Sequence, residues 1–297
     1  MGRHTVAKLL ANLLAALLTT LPSLASAELP QVRWLVLDFV PYHVLEGPNR
    51  GTGLRDQYLD TLIRRLPEFR HQIEISGTER MFVLMKTGQP VCTLSMLRVP
   101  ERESFAVFSN KPYFWQLAPV LIARKGYTPP SGWQRDKDGE VSLSGLLERG
   151  GVTLGTLPKR RFGKELDDVI ERMRAEHPGT VLDFTEHGLL AGLLRLVGRG
   201  RVDVTLGYAI EVEQLRRDLP ELGEFDYFGL VEAPDMIPTY VSCSRSPLGR
   251  DVISAVNALS GMDTAKQKLR DQYGAMLPEG ERKRYRAQLQ SADKLGE

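Results

Sequence analysis

Cysteine is nearly absent from the 297-residue chain, which holds only Cys92 and Cys243. No CxxC pair and no HxxxH or HExxH spacing accompanies them, which argues against a zinc site. Histidine is scarce too: His4, His43, His71, His177 and His187 are scattered along the chain. No G-x-S-x-G elbow marks a nucleophilic serine, and no G-x-x-x-x-G-K-[ST] loop marks a phosphate cradle. The lone GxG patterns at Gly51–Gly53 and Gly198–Gly200 read as turns. No carboxylate pair stands isolated in an apolar setting that would raise one pKa. The expectation is therefore a protein without catalytic residues, cofactor or metal, and not an enzyme.

An excess of charge of one sign is also lacking. The chain has 39 Lys and Arg against 37 Asp and Glu, and Arg3 and Lys8 fall in the first 27 residues, which hold no acid. The remainder carries 37 of each, so nothing predicts a nucleic-acid partner or an anionic membrane surface. After residue 27, no apolar run is long enough to span a bilayer.

The first 27 residues are different. A basic start leads into the apolar run LLANLLAALLTTL, and Ala25-Ser26-Ala27 offers the small-x-small pattern of a cleavage site. Residues 1–27 read as a cleaved export signal, with no cysteine positioned for a lipid anchor. In an oxidising compartment Cys92 and Cys243 are either bonded or two buried thiols; their apolar contexts, PVCTLSM and TYVSCSR, fit both.

Beyond the signal, strand and helix patterns alternate. Arg33–Phe39 reads as a strand, and Leu54–Leu66 as a helix with Leu54, Tyr58, Leu59, Leu62, Ile63 and Leu66 on one face. Ile73–Ile75, a helix from Thr78 to Lys86 stopped at Gly88, and a strand at Val91–Met96 follow. Residues 126–142 are loop by composition. Strand–helix pairs then resume at Val152–Gly155 and Gly163–Arg174, Val181–Phe184 and Leu189–Val197, and Val202–Leu206 and Glu211–Asp218. Such alternation predicts parallel α/β sheets. The chain from Leu248 reads as helical, and the stretch from Glu279 as a solvated or frayed tail.

One segment echoes another. Leu84 to Ser95 and Leu196 to Gly207 each run from a helix end through a glycine stop into a strand with Thr-Leu at the same offset, Thr93-Leu94 and Thr205-Leu206. Two similar α/β halves follow from it. In open α/β sheets ligands sit beyond the carboxyl ends of strands. Three places meet that rule: Asp38 to Tyr42, Ser95 to Leu97 with Arg102, and Gly155 to Arg161, where free N–H groups and arginines would attract an anion.

Glu101-Arg102, Phe108-Ser109 and Pro112-Tyr113 together resemble the signature of type II periplasmic solute-binding proteins of family 3, the amino-acid-binding-like branch, in a divergent subgroup. Phe39 and Pro41-Tyr42 resemble that family's aromatic-proline loop, and Gly53–Leu66 its glycine-led helix. The resemblance implies a two-lobed α/β fold, each lobe a short, mostly parallel sheet flanked by helices, joined by two hinge crossings near Tyr113 and Pro238. Lobe 1 would comprise 28–113 plus 238–297, and lobe 2 114–237. It implies a monomer in the periplasm that binds a small-molecule ligand for the membrane subunits of an ABC importer. A protein reporting to a membrane sensor and a dehydratase-like enzyme on the same fold are the alternatives.

The resemblance also implies a ligand set. Arg102 would hold an anionic group, and Phe39 or Tyr42 would pack on its apolar part. Ser95, Leu97 and Arg80 would line the first lobe, and Thr156, Arg160 and Tyr208 the second. Tyr208 stands where the family places an acid for the ligand's ammonium, with Glu211 three residues on. The solute class therefore widens from α-amino acids to anionic or aromatic-containing small molecules. The same fold would set Cys92 and Cys243 on adjacent strands, implying a disulfide.

Overall fold

A computed structural model describes residues 28–157, 160–185 and 189–294. The expected export signal, residues 1–27, lies outside the described residues.

The chain from Gln31 builds two five-stranded sheets joined by a two-stranded ribbon. β1 (Gln31–Val36) is an interior strand of the first sheet. It is buried on both faces, as central strands of parallel sheets are. Val32, Trp34 and Val36 enter the main core, while Leu35 enters a smaller core with Met81, Met85 and Met96. α1 (Leu54–Arg64) packs Leu54, Tyr58, Leu59 and Leu62 inward, as the 3.6-residue spacing demands. Each such leucine is worth about 1.5–3 kcal/mol of transfer free energy. β2 (Arg70–Ile75), α2 (Thr78–Lys86) and β3 (Val91–Thr93) follow, and Gly88 ends the α2 turn with φ of 70°. The short α3 (Pro100–Glu103) leads to β4 (Ala106–Phe108).

β5 (Phe114–Leu117) carries the chain away from this sheet. The second sheet contains β6 (Val120–Arg124), β7 (Leu154–Thr156), β8 (Val181–Asp183), β9 (Val204–Gly207) and β10 (Phe225–Phe228). Its helices are α4 (Leu143–Glu148), α5 (Lys164–Glu176), α6 (Leu189–Gly198) and α7 (Ala209–Asp218). Leu166, Val169, Ile170 and Met173 of α5 form a separate core with Leu143, Leu146 and Leu147 of α4. β11 (Met236–Thr239) pairs antiparallel with β5, and β12 (Ser242–Ser244) rejoins the first sheet.

The sheet orders, β2-β1-β3-β12-β4 and β10-β6-β9-β7-β8, are one plan read in opposite directions. Each has three parallel strands, then one antiparallel strand newly arrived across the ribbon, then a strand paired antiparallel to it. The sequence echo falls on matching places. Thr93 donates to the Leu35 carbonyl at 2.8 Å, and Thr205 donates to the Gly155 carbonyl at 2.9 Å, each reaching the adjacent parallel strand. Cys243 stands opposite Cys92 in the β12–β3 register, and the two are joined in a disulfide.

α8 (Pro247–Ala258), α9 (Asp263–Met276) and α10 (Glu279–Lys294) complete the chain. The stretch from Glu279 departs from the expected tail. It is helical, and Tyr285 is 2% exposed. Tyr285 stacks edge-on against Tyr273, and its hydroxyl donates to the Trp115 carbonyl of β5 at 3.1 Å. One buried aromatic in a run of charged residues anchors the helix, a signal that average polarity conceals.

Candidate functional site

The carboxyl ends of β1 and β3 in the first sheet, and of β7 and β9 in the second, contribute to one buried polar group. After β1, the turn at Phe39–His43 is closed by hydrogen bonds from the Tyr42 and His43 amides to the Phe39 carbonyl at 2.8 and 3.0 Å. α1 begins directly beneath it. Gly53 is obligatory there, because a Cβ would lie 2.5 Å from the Tyr42 carbonyl oxygen and 2.8 Å from the His43 Cα. Asp56 fastens the turn to the helix. Its Oδ1 lies 2.6 Å from His43 Nδ1, and its Oδ2 accepts the amides of Val44 and Gly53 at 2.8 and 3.2 Å. Burial alone would raise the Asp56 carboxyl, but the His43 and backbone hydrogen bonds outweigh it and hold the pKa below its usual value. Burial pushes the His43 imidazole down, against the pull of Asp56.

This placement delivers Arg55, on the first turn of α1, into the interior at 4% exposure. Its guanidinium donates to Ser95 Oγ at 3.3 Å and to Gln116 Oε1 at 3.2 Å, and lies 4.3 Å above the centre of the Tyr42 ring. Ser95 Oγ also lies 3.3 Å from His43 Nε2. Every hydrogen-bond partner of Arg55 is neutral. Its Nε has no partner, and neither has the Tyr42 hydroxyl; both atoms are buried.

From the second sheet come Arg160, Tyr208 and Glu211. Arg160 donates to Glu211 Oε2 at 2.5 Å. Its guanidinium lies 5.4 Å from the ring centres of Tyr208 and Phe162 and 5.9 Å from that of Phe39, so it touches the first sheet's aromatic turn. Glu211 is 3% exposed, and its Oε1 is unpartnered. Burial raises the Glu211 carboxyl above its usual value, opposed first by Arg160 and then by Arg55. Glu211 stands between Ile210 and Val212 in the sequence, and folding buries all three. Tyr208 is pushed up to about 12, chiefly by burial.

Of the residues singled out from sequence, the structure thus gathers Phe39, Tyr42, Ser95, Arg160 and Tyr208. Phe39 and Tyr42 stack on each other with ring centres 5.1 Å apart. Arg102 stands elsewhere: its guanidinium lies 5.0 Å from the Phe82 ring centre on α2 and donates to the Leu97 carbonyl at 3.2 Å. Leu97 packs against the main core, half-buried. Arg80 is exposed and paired with Glu74 at 2.6 Å. Thr156 is buried, but its hydroxyl is taken by Asp183 at 2.7 Å. Lys159 lies outside the described residues. Among those described, no cluster of three or more His, Cys, Asp or Glu is placed to hold a metal ion.

Arg55, His43, Asp56 and Gln116 were not singled out from the sequence. Arg55 had a signal. It stands three and four residues before Tyr58 and Leu59, on the apolar face of α1, where a charge must find a reason to be buried.

No family model matches the chain, and no curated protein matches it. Solved structures do. An ancestral arginine-binding protein bound to arginine aligns at a TM-score of 0.58 with 15% identity, over 82% of this chain and 96% of that one. The L-cystine solute receptor of Neisseria gonorrhoeae in its unliganded open conformation aligns at 0.52 with 17% identity, over 82% and 93%. The periplasmic VFT2 domain of Bordetella pertussis BvgS aligns at 0.53 with 17% identity, over 82% and 94%. The chain has the two-lobed fold of periplasmic solute-binding proteins. The buried polar group draws on the strand ends of both sheets, the position where ligands sit in open α/β folds.

Proposed function

We propose that the chain is an exported solute-binding protein that captures a small polar or anionic molecule in a cleft between the two lobes, at this buried polar group. The observation that carries the reading is a set of three buried polar atoms without partners: Tyr42 Oη and Arg55 Nε on the first lobe and Glu211 Oε1 on the second. Buried polar atoms are normally paired, so three exceptions within one polar group call for an explanation. A ligand supplying an acceptor to the first two and a donor to the third would satisfy all of them. Because these atoms belong to both lobes, such a ligand favours the closed arrangement over an open one. The lobes in this reading meet at crossings near Tyr113 and Pro238, where β5 pairs with β11.

Delivery to an ABC importer fits the solute-binding neighbours, the arginine-binding protein and the L-cystine solute receptor. The likeness to the BvgS domain favours a second reading, in which the same closure reports to a membrane sensor. Among the described residues no helix is long and apolar enough to cross a membrane. Mass spectrometry of small molecules released from the purified protein, followed by calorimetric rebinding, tests the reading. A released solute that rebinds unchanged is the expected result. Conversion of the solute, or a protein that neither releases nor binds any small molecule, would overturn it.

A further inference from the structure

The geometry points to a second activity beside capture: Ser95, His43 and Asp56 form a hydrolytic triad that cleaves esters of small acids and leaves the acid in the cleft. The molecule converted is the ester; the acid is the solute that is held and rebinds unchanged. Retention of that acid rests on the cleft reading above, and the chemistry rests on the triad alone.

His43 is the middle member. Its Nδ1 lies 2.6 Å from Asp56 Oδ1, and its Nε2 lies 3.3 Å from Ser95 Oγ. Hydrogen bonds from His43, Val44 and Gly53 keep Asp56 ionised, so it can only accept. His43 therefore carries its proton on Nδ1, which leaves a lone pair on Nε2. Ser95 is then the donor to His43, its hydroxyl proton aimed at a base. That is the tautomer and the order by which a histidine activates a serine. Burial holds the imidazole below its ordinary pKa, so at neutral pH it is the free base. Asp56 and Arg55 are the charged groups that act on it. The triad is assembled from the turn after β1, the first turn of α1 and the end of β3, at the carboxyl ends of strands. His43 is 1% exposed, whereas Ser95 is only half-buried. Ser95 stands in Leu94-Ser95-Met96 without a glycine elbow, so the sequence concealed it.

Arg55 completes the site. Its Nη1 donates to Ser95 Oγ at 3.3 Å and its Nη2 to Gln116 Oε1 at 3.2 Å, which fixes the guanidinium beside the serine. Its Nε–H and the Tyr42 hydroxyl are donors without partners. Such donors suit an oxygen on which negative charge develops. In the first step Ser95 Oγ bonds to the ester carbonyl carbon as its proton passes to His43 Nε2. The imidazolium then lies against Asp56 and the oxyanion beside Arg55, so each new charge meets a fixed opposite one. The carbonyl re-forms as the bond to the alcohol oxygen breaks, and His43 returns the proton to the departing alkoxide. Water next attacks the acyl-serine with His43 as base. The acyl–Oγ bond breaks, Ser95 regains a proton, and the acid, its own proton lost to solvent, stays as a carboxylate against Arg55 and Tyr42.

The experiment treats the full mature protein with phenylmethanesulfonyl fluoride, from which an activated serine displaces fluoride, and maps the adduct by peptide mass spectrometry. The adduct should sit on Ser95. Hydrolysis of p-nitrophenyl acetate should be blocked by that adduct and slowed about 100-fold by Ser95→Ala or His43→Gln. The wild-type rate should rise with pH as His43 loses its proton. Asp56 positions His43 and raises its basicity, so Asp56→Asn should move that rise to lower pH; an unmoved profile overturns its place in the triad. The wild-type adduct stands even if a variant fails to fold. An unlabelled Ser95, or a Ser95→Ala protein slowed by less than about tenfold, overturns the proposal. Neither result touches capture of the acid, which is judged separately on the solute released from the purified protein.

Discussion

In the first lobe the strand that returns across the ribbon, β12, faces β3 through Cys243 and Cys92. In the second lobe the strand in the same place, β6, faces β9 through Ala123 and Val204. The two sheets share a strand plan and the same threonine bond to a neighbouring carbonyl, yet only the first is cross-linked at this point. Their contributions to the cleft differ in kind as well. The first lobe supplies a hydrogen-bonded framework in which Asp56, His43, Ser95 and Gln116 position one arginine. The second supplies an ion pair, Arg160–Glu211, enclosed by aromatic rings. The comparison teaches that the repeated architecture fixes where strand ends converge, while the residues at those ends are free to differ: the first lobe surrounds its arginine with neutral partners and the second pairs its arginine with a carboxylate.

Removing the cross-link should have the largest effect on this contrast. Cys92→Ala with Cys243→Ala frees a loop of 151 residues in the unfolded chain and should cost about 2–5 kcal/mol. Hydrogen exchange should show the loss in the first sheet, with the second sheet's slowest amides less affected. Equal loosening of both would show that the lobes unfold as one unit.

The shared threonines allow a finer comparison. Thr93→Val and Thr205→Val each remove a buried donor from a carbonyl on the adjacent strand. Each should cost about 1 kcal/mol in denaturant unfolding. A large disparity between them would break the equivalence of the two sheets.

Acid should produce the smallest effect, and the lobes should respond with opposite sign. His43 and Asp56 have folded pKa values below their ordinary ones. Their stabilisation is complete above the unfolded pKa, about 6.5 for histidine and about 4 for aspartate, and is lost as pH falls below each. Glu211 is raised by burial, so its contribution is present at low pH and is lost as pH rises through its folded pKa. A pH series on wild type, His43→Gln and Glu211→Gln should separate the two; slopes of the same sign for both variants would refute the assignment.

Much of the fold was legible before folding was seen. Alternating strands and helices, glycine stops and the Thr-Leu echo are local signals, and local signals survive in sequence. So was the cysteine pairing, once the resemblance set the two residues on neighbouring strands. Within the site, the aromatic-proline turn and the loop carrying Arg160 were visible because they follow strand ends. What was hidden depends on side-chain direction. Arg102 follows a familiar pattern, yet its guanidinium lies against Phe82. Arg55 carries no motif, yet the helix turns it inward. Tyr285 lies in a charged run that hides its burial.

The central claim is that the buried Arg55, not Arg102, holds the solute. Wild type, Arg55→Ala and Arg102→Ala should be purified alike, and the small molecules released from each identified by mass spectrometry. The account predicts one solute shared by wild type and Arg102→Ala and missing from a folded Arg55→Ala. A solute retained by Arg55→Ala and lost from Arg102→Ala would contradict it.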